Sequence, residues 1–124
     1  MSAKSGKTRG ALEDEFSKAI IRFEKEHFGR GPVEARTFLL QDMIVVRLRG
    51  ILTPAEQKLA ESADGQKLVK ETRRQLLETS RPLIEKIVAD ILGSEVVSFH
   101  TDMSTRSGER IIVLTTDKDL DLGG

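Results

Sequence analysis

Residues 53–93 constrain the fold more than any other part of this chain. The segment reads TPAEQKLAESADGQKLVKETRRQLLETSRPLIEKIVADILG and is helical by almost every local criterion. Thr53, Pro54 and Glu56 sign its start: a hydroxyl to cap the first free amides, a proline where no amide is needed, and a carboxylate that completes a capping box. Gly93 signs its end. Between them Leu68, Thr72, Leu76, Thr79, Leu83, Ile87 and Ile91 recur at helical spacing, one stripe for a core or a partner helix. One straight rod is not expected. Asp64-Gly65 is a turn dipeptide, which predicts a short helix over 54–63 and a restart near Gly65. Pro82 crowds the carbonyl of Glu78 at a cost of about 3 kcal/mol in a helix interior, which predicts a kink over 78–82. Arg74 with Glu78, and Arg81 with Glu85, offer opposite-charge pairs along the helix.

The flanks supply the partners for this platform. Residues 1–10 are small, basic and polar and read as a flexible basic arm; SGKT at 5–8 lacks the preceding glycine and buried strand of a phosphate loop. Over 11–28, Leu12, Phe16, Ala19, Ile20 and Phe23 share one helical face, which Gly29 and Pro32 bring to a stop. Strands are expected over 35–41 and 43–49, with Ile44, Val46 and Leu48 on one face and Val45, Arg47 and Arg49 on the other. Two more follow Gly93, over 94–103 and 110–116. In the first, Val97, Phe99, Thr101 and Met103 oppose Val96, Ser98, His100 and Asp102. The link STRSG at 104–108 is turn-like, and 117–124 reads as an acidic flexible tail. Helix, two strands, helix, two strands predicts a single α+β domain over 11–116: a four-stranded, mostly antiparallel sheet with helices packed on one face.

Composition narrows the chemistry. The chain has no cysteine, which excludes a thiolate nucleophile or a cysteine-held metal and suits a reducing cytoplasm. Twenty basic residues balance 20 acidic ones, so no whole-chain field draws in nucleic acid or anionic lipid. No apolar run approaches the ~20 residues of a membrane span, and the first ten residues lead into no signal-peptide core.

Candidate site residues are few. Arg30 sits between Gly29 and Gly31, where backbone amides and a cation suit an anion. His100 and Asp102 are two apart on a strand and so share a face, a pairing seen in general bases and half metal sites. No nucleophile is fixed beside them, and with His27 far off in sequence they spell no zinc motif. Arg9, Arg36, Arg47, Arg49, Arg73 and Arg74 would make a nucleic-acid surface if they converged, although few rings stand ready to stack on bases.

Four segments together, LEDEFSKAIIRFEKEHFGRGP, RGILTPAE, GQKLVKETRRQLLETSRP and HTDMSTRSGERIIVLTT, resemble the MpsC-like family, the domain named for a sodium-translocating, membrane-potential-generating system. Gly29, Arg30, Gly31, Pro32, Leu52, Thr53, Pro54, Glu56, Arg73, Arg81, Pro82, His100, Asp102, Ser104, Gly108 and Glu109 match its pattern. The resemblance implies association with a membrane system handling ions or inorganic carbon, and it brings no catalytic residue with it. The expectation is therefore a soluble cytoplasmic accessory or regulatory module, homo-oligomeric, without cofactor or metal. It would bind a membrane-system protein or a small anion, with Arg30, Arg73, Arg81, His100, Asp102 and Ser104 as the binding residues. The alternatives are nucleic-acid binding through an arginine-rich face, or a small enzyme using His100 and Asp102.

Overall fold

A computed structural model describes residues 7–120 of the 124-residue chain. Thr8 caps the first helix, α1 (Arg9–Phe28), its hydroxyl accepting from the Ala11 amide; Gly29 ends it with φ 80°. Residues 1–6 of the expected arm lie outside the described residues, but Arg9 and Gly10 are already helical because Thr8 nucleates the first turn. Strands β1 (Glu34–Leu40) and β2 (Met43–Arg49) form a hairpin in which Gln41 adopts φ 57°. Helices α2 (Pro54–Leu59), α3 (Ala63–Thr79) and α4 (Arg81–Leu92) follow, then strands β3 (Val96–Ser104) and β4 (Glu109–Thr116). The sheet is wholly antiparallel in the order β1-β2-β4-β3, and the protein is α+β.

The platform is three helices rather than one bent rod. The capping box at Thr53 and Glu56 is complete, yet α2 spans only six residues. Ser62 then caps α3 by accepting from the Gly65 amide. Gly65 therefore lies inside the first turn of α3, and its lack of a side chain answers a different need: a Cβ there would meet the Leu59 carbonyl oxygen at 1.7 Å. At the second break, α3 stops at Thr79 and α4 starts at Arg81, so Pro82 falls in a first turn where no amide is needed. The predicted kink is a full interruption at Ser80.

The core lies between the inner sheet face and the helices. Leu39, Ile44, Val46, Leu48, Ile112 and Leu114 from the sheet meet Leu12, Phe16, Ile20 and Phe23 of α1, Val69 and Leu77 of α3, and Ile84, Val88 and Ile91 of α4. Over α3 and the start of α4 the helical stripe is thus offset by one position from the expected one, whereas Ile87 and Ile91 of the expected stripe do pack on the core. Leu68, Leu76 and Leu83 are exposed, whereas Val69, Arg73, Leu77, Ile84 and Val88 are buried. A charged residue completes the true stripe, which is why an apolar count favours the wrong one. In β3 a bulge between Val96 and Ser98 turns Val97 to solvent and lets Val96 pack on the core, so Val97 departs from the expected face while Phe99, Thr101 and Met103 keep it.

The chain end also departs from expectation. Asp117 exchanges bonds with Glu95, Lys118 Nζ donates to the Gly93 carbonyl, and Leu120 is buried, because these residues close the gap between α4 and the β1–β2 turn. Residues 121–124 of the expected tail lie outside the described residues. No helix among the described residues is long and apolar enough to cross a membrane.

Candidate functional site

Arg73 is the electrostatic centre of the core. It is 1% exposed, and three elements converge on it. Its Nε and Nη2 donate to the Glu56 carboxylate at 2.8 and 2.7 Å, Nη2 also donates to the Ile51 carbonyl, and its guanidinium stacks 5.0 Å from the Phe28 ring centroid. Glu24, equally buried, lies 3.7 Å from Nη1, an ion pair without a hydrogen bond. Burial raises the Glu24 carboxyl above the ordinary range against the pull of Arg110 and Arg73. Partial burial also raises Glu56, but the Arg73 hydrogen bonds and the Thr53 amide outweigh it and hold that carboxyl low.

A second buried cationic group borders a cleft. Arg110 projects to the inner face beside Ile112 and Leu114 and is 2% exposed; its Nη1 donates to Thr101 Oγ1 at 3.1 Å and its Nη2 lies 3.9 Å from Met103 Sδ. Its Nε has no partner. Burial pushes this guanidinium below the usual arginine range, with Glu24 opposing. Arg110 lines a cleft of about 410 Å³ between α3 and the β3–β4 hairpin. Lys67, Lys70 and Arg74, spaced to share one side of α3, line it too, with Glu71 and Asp102 as its carboxylates. Arg74 is bound to Glu71, whose carboxyl it holds down to about 2. Lys70 sits 3.4 Å from Asp102, which is held low first by the Met103 amide and then by Lys70. Lys67 has no ion partner among the described residues. A larger recess of about 550 Å³ near Gly50 and Thr105 offers Arg106 as its one charged side chain and so concentrates no charge.

The six residues expected to bind scatter. Arg30 donates to the Leu52 carbonyl, and Arg73 is locked in the core. Arg81 pairs with Glu85 at 3.0 Å and lies over Phe99. His100 is exposed on the outer face of the sheet, and Ser104 shapes the turn by accepting from Ser107 and Gly108. Only Asp102 reaches the cationic cleft. The expected Arg74–Glu78 pair is replaced by Arg74–Glu71. The arginines of the nucleic-acid alternative divide likewise: Arg73 is inside, Arg74 is on α3, and Arg47 and Arg49 are paired with Glu109 and Glu34. Among the described residues no group of His, Asp and Glu side chains could hold a metal ion.

Lys67, Lys70 and Arg110 were the residues sequence reasoning missed. The lysines carried a signal, their shared spacing with Arg74 on α3. Arg110 carried one as well, since it has the same strand parity as the apolar Ile112 and Leu114 and so had to face inward.

Helices on one face of an antiparallel sheet, a buried arginine–glutamate core and a cationic cleft define a small α+β domain with one sheet face left uncovered. The chain belongs to the family described as Na+-translocating membrane potential-generating system (MpsC), whose model matches residues 8–118. It is 44% identical over 115 residues to Uncharacterized protein YbcI of Bacillus subtilis (strain 168), covering 93% of each chain. It is 28% identical over 109 residues to Uncharacterized protein YrhF of the same organism, covering 86% of this chain and 88% of the other. No solved structure gives a significant match.

Proposed function

We propose that this protein is a cytoplasmic, non-enzymatic accessory module of a membrane-potential-generating system that takes a small inorganic oxyanion in the cleft between α3 and the β3–β4 hairpin. The observation that carries the reading is Arg110, a buried guanidinium whose Nε has no hydrogen-bond partner, in the wall of a cleft where four cations face two carboxylates. An oxyanion would accept from Arg110 and from the exposed ammonium of Lys67, and would offset the cleft's positive excess. The family description supports the association with a membrane system. His100, exposed and without a hydrogen-bond partner among the described residues, is poorly placed as a general base.

Titration calorimetry with phosphate, bicarbonate and sulfate tests this. At least one should bind, more weakly as ionic strength rises, and Lys67→Ala should weaken it about tenfold, the equivalent of ~1.4 kcal/mol. Absence of heat and of any thermal shift with all three anions would remove the proposal.

A further inference from the structure

The outer face of the sheet is the largest feature that the anion cleft leaves unexplained. Strand register places its side chains in rows across β1, β2, β4 and β3. One row is Phe38, Val45, Val113 and His100, and the next towards one end is Leu40, Met43, Thr115 and Ser98. In the other direction come Arg36, Arg47, Ile111 and Asp102, and then Glu34, Arg49, Glu109 and Ser104. Every one of these side chains is exposed or half-exposed, so no described element packs over the face. Phe38, Leu40, Met43, Val45, Ile111 and Val113 form a continuous apolar field there, with Phe38 39% and Leu40 50% exposed. Antiparallel sheets often keep a solvated outer face, but that face is ordinarily polar.

We infer that a second copy of this chain covers this face, in a two-fold dimer whose axis runs parallel to the strands between β2 and β4. The charges select both the occupant and the axis. Such an axis lays β1 over the partner's β3, and β2 over the partner's β4, row upon the same row, as aligned sheets pack ~10 Å apart. Arg36 then meets the partner's Asp102, at the sheet edge where that carboxylate also reaches Lys70 of its own chain. Arg49, paired with Glu34, comes opposite the partner's Glu109, paired with Arg47, and Val45 meets the partner's Val113. An axis across the strands would instead set Arg36, which has no ion-pair partner among the described residues, against the partner's Phe38, and the Arg47–Glu109 pair against the partner's Val45, burying charge on an apolar field. The chain carries 20 positive and 20 negative residues, so two copies meet without net repulsion. The exposed leucines on the helices make a weaker candidate. Leu68 and Leu76 stand among Lys67, Glu71, Gln75 and other polar side chains, with no reciprocal charge pattern.

Sedimentation of the full chain decides the matter, with circular dichroism as the check on folding. Wild type should be a dimer, and Val113→Lys should weaken it about 100-fold or more, as an unpaired charge at an interface centre does. Because Val113 is half-buried and its variant could fold poorly, Arg36→Glu at the exposed edge supplies the second arm. It should weaken the dimer about tenfold by setting like charges together, and adding Asp102→Lys should restore it. A monomeric wild type overturns the inference. So does a dimer that survives both folded variants, and so does one abolished by Leu76→Lys alone. A dimer disrupted by Arg36→Glu but not rescued by the double change would reject the proposed axis.

Discussion

Arg73 shows how one charged side chain can organise a core. Its partners come from α1, α2 and the segment at Ile51, so a single guanidinium fixes the position of three separate pieces of chain. The arrangement has an acid signature. Glu56 is lowered in the folded state, so its contribution is complete above the ordinary value of 4.5 and is lost as pH falls through the lower, folded value. Glu24 runs the other way: its carboxyl is raised, so its effect on stability turns unfavourable as pH climbs from 4.5 through the folded value. Glu56→Gln should therefore cost about 1–3 kcal/mol at neutral pH and flatten the acid limb of a urea-denaturation series. An acid limb of unchanged slope would assign it to other carboxylates. Glu24→Gln provides the control, since it should remove the opposing slope above 4.5.

At the scale of elements, local chemistry was legible where it was strong. Thr53, Pro54 and Glu56 announced a capped helix, Gly29 and Gly93 announced stops, and alternation in β2 gave the buried face correctly. What failed had a physical cause in each instance. The helical stripe was misread because Arg73 occupies a core position that a hydrophobic count passes over. Gly65 was read as a turn because an inter-helix approach leaves the same mark in sequence as a positive φ. The candidate site was legible only at Asp102, since the rest of the cleft depends on how α3 crosses the β3–β4 hairpin, which no local pattern records. The Gly65 explanation is testable. Gly65→Ala forces a Cβ into the Leu59 carbonyl and should cost about 2–3 kcal/mol, although alanine is the better helix former. A gain in melting temperature would mean that α2 and α3 can move apart.

For the molecule as a whole, the chain end and the two edges of the sheet matter most. Leu120 is 5% exposed and its amide donates to the Gln41 carbonyl, while Lys118 holds the Gly93 carbonyl at 2.9 Å. Deleting residues 118–124 should cost about 2–3 kcal/mol in thermal unfolding, the scale of one buried leucine and its anchoring bonds. A loss within experimental error would show that the segment is dispensable to the fold. The two edges are treated differently. Beside α1, the Glu13 carboxylate takes the Leu39 amide of β1 at 2.8 Å, so that edge is already engaged by the chain's own side chain. An endless cross-strand filament needs two receptive edges on every copy, one to accept and one to offer. With the Leu39 amide already held by a glutamate, the β1 edge has one donor fewer to offer an incoming strand, so the two edges are not equivalent ends for such growth.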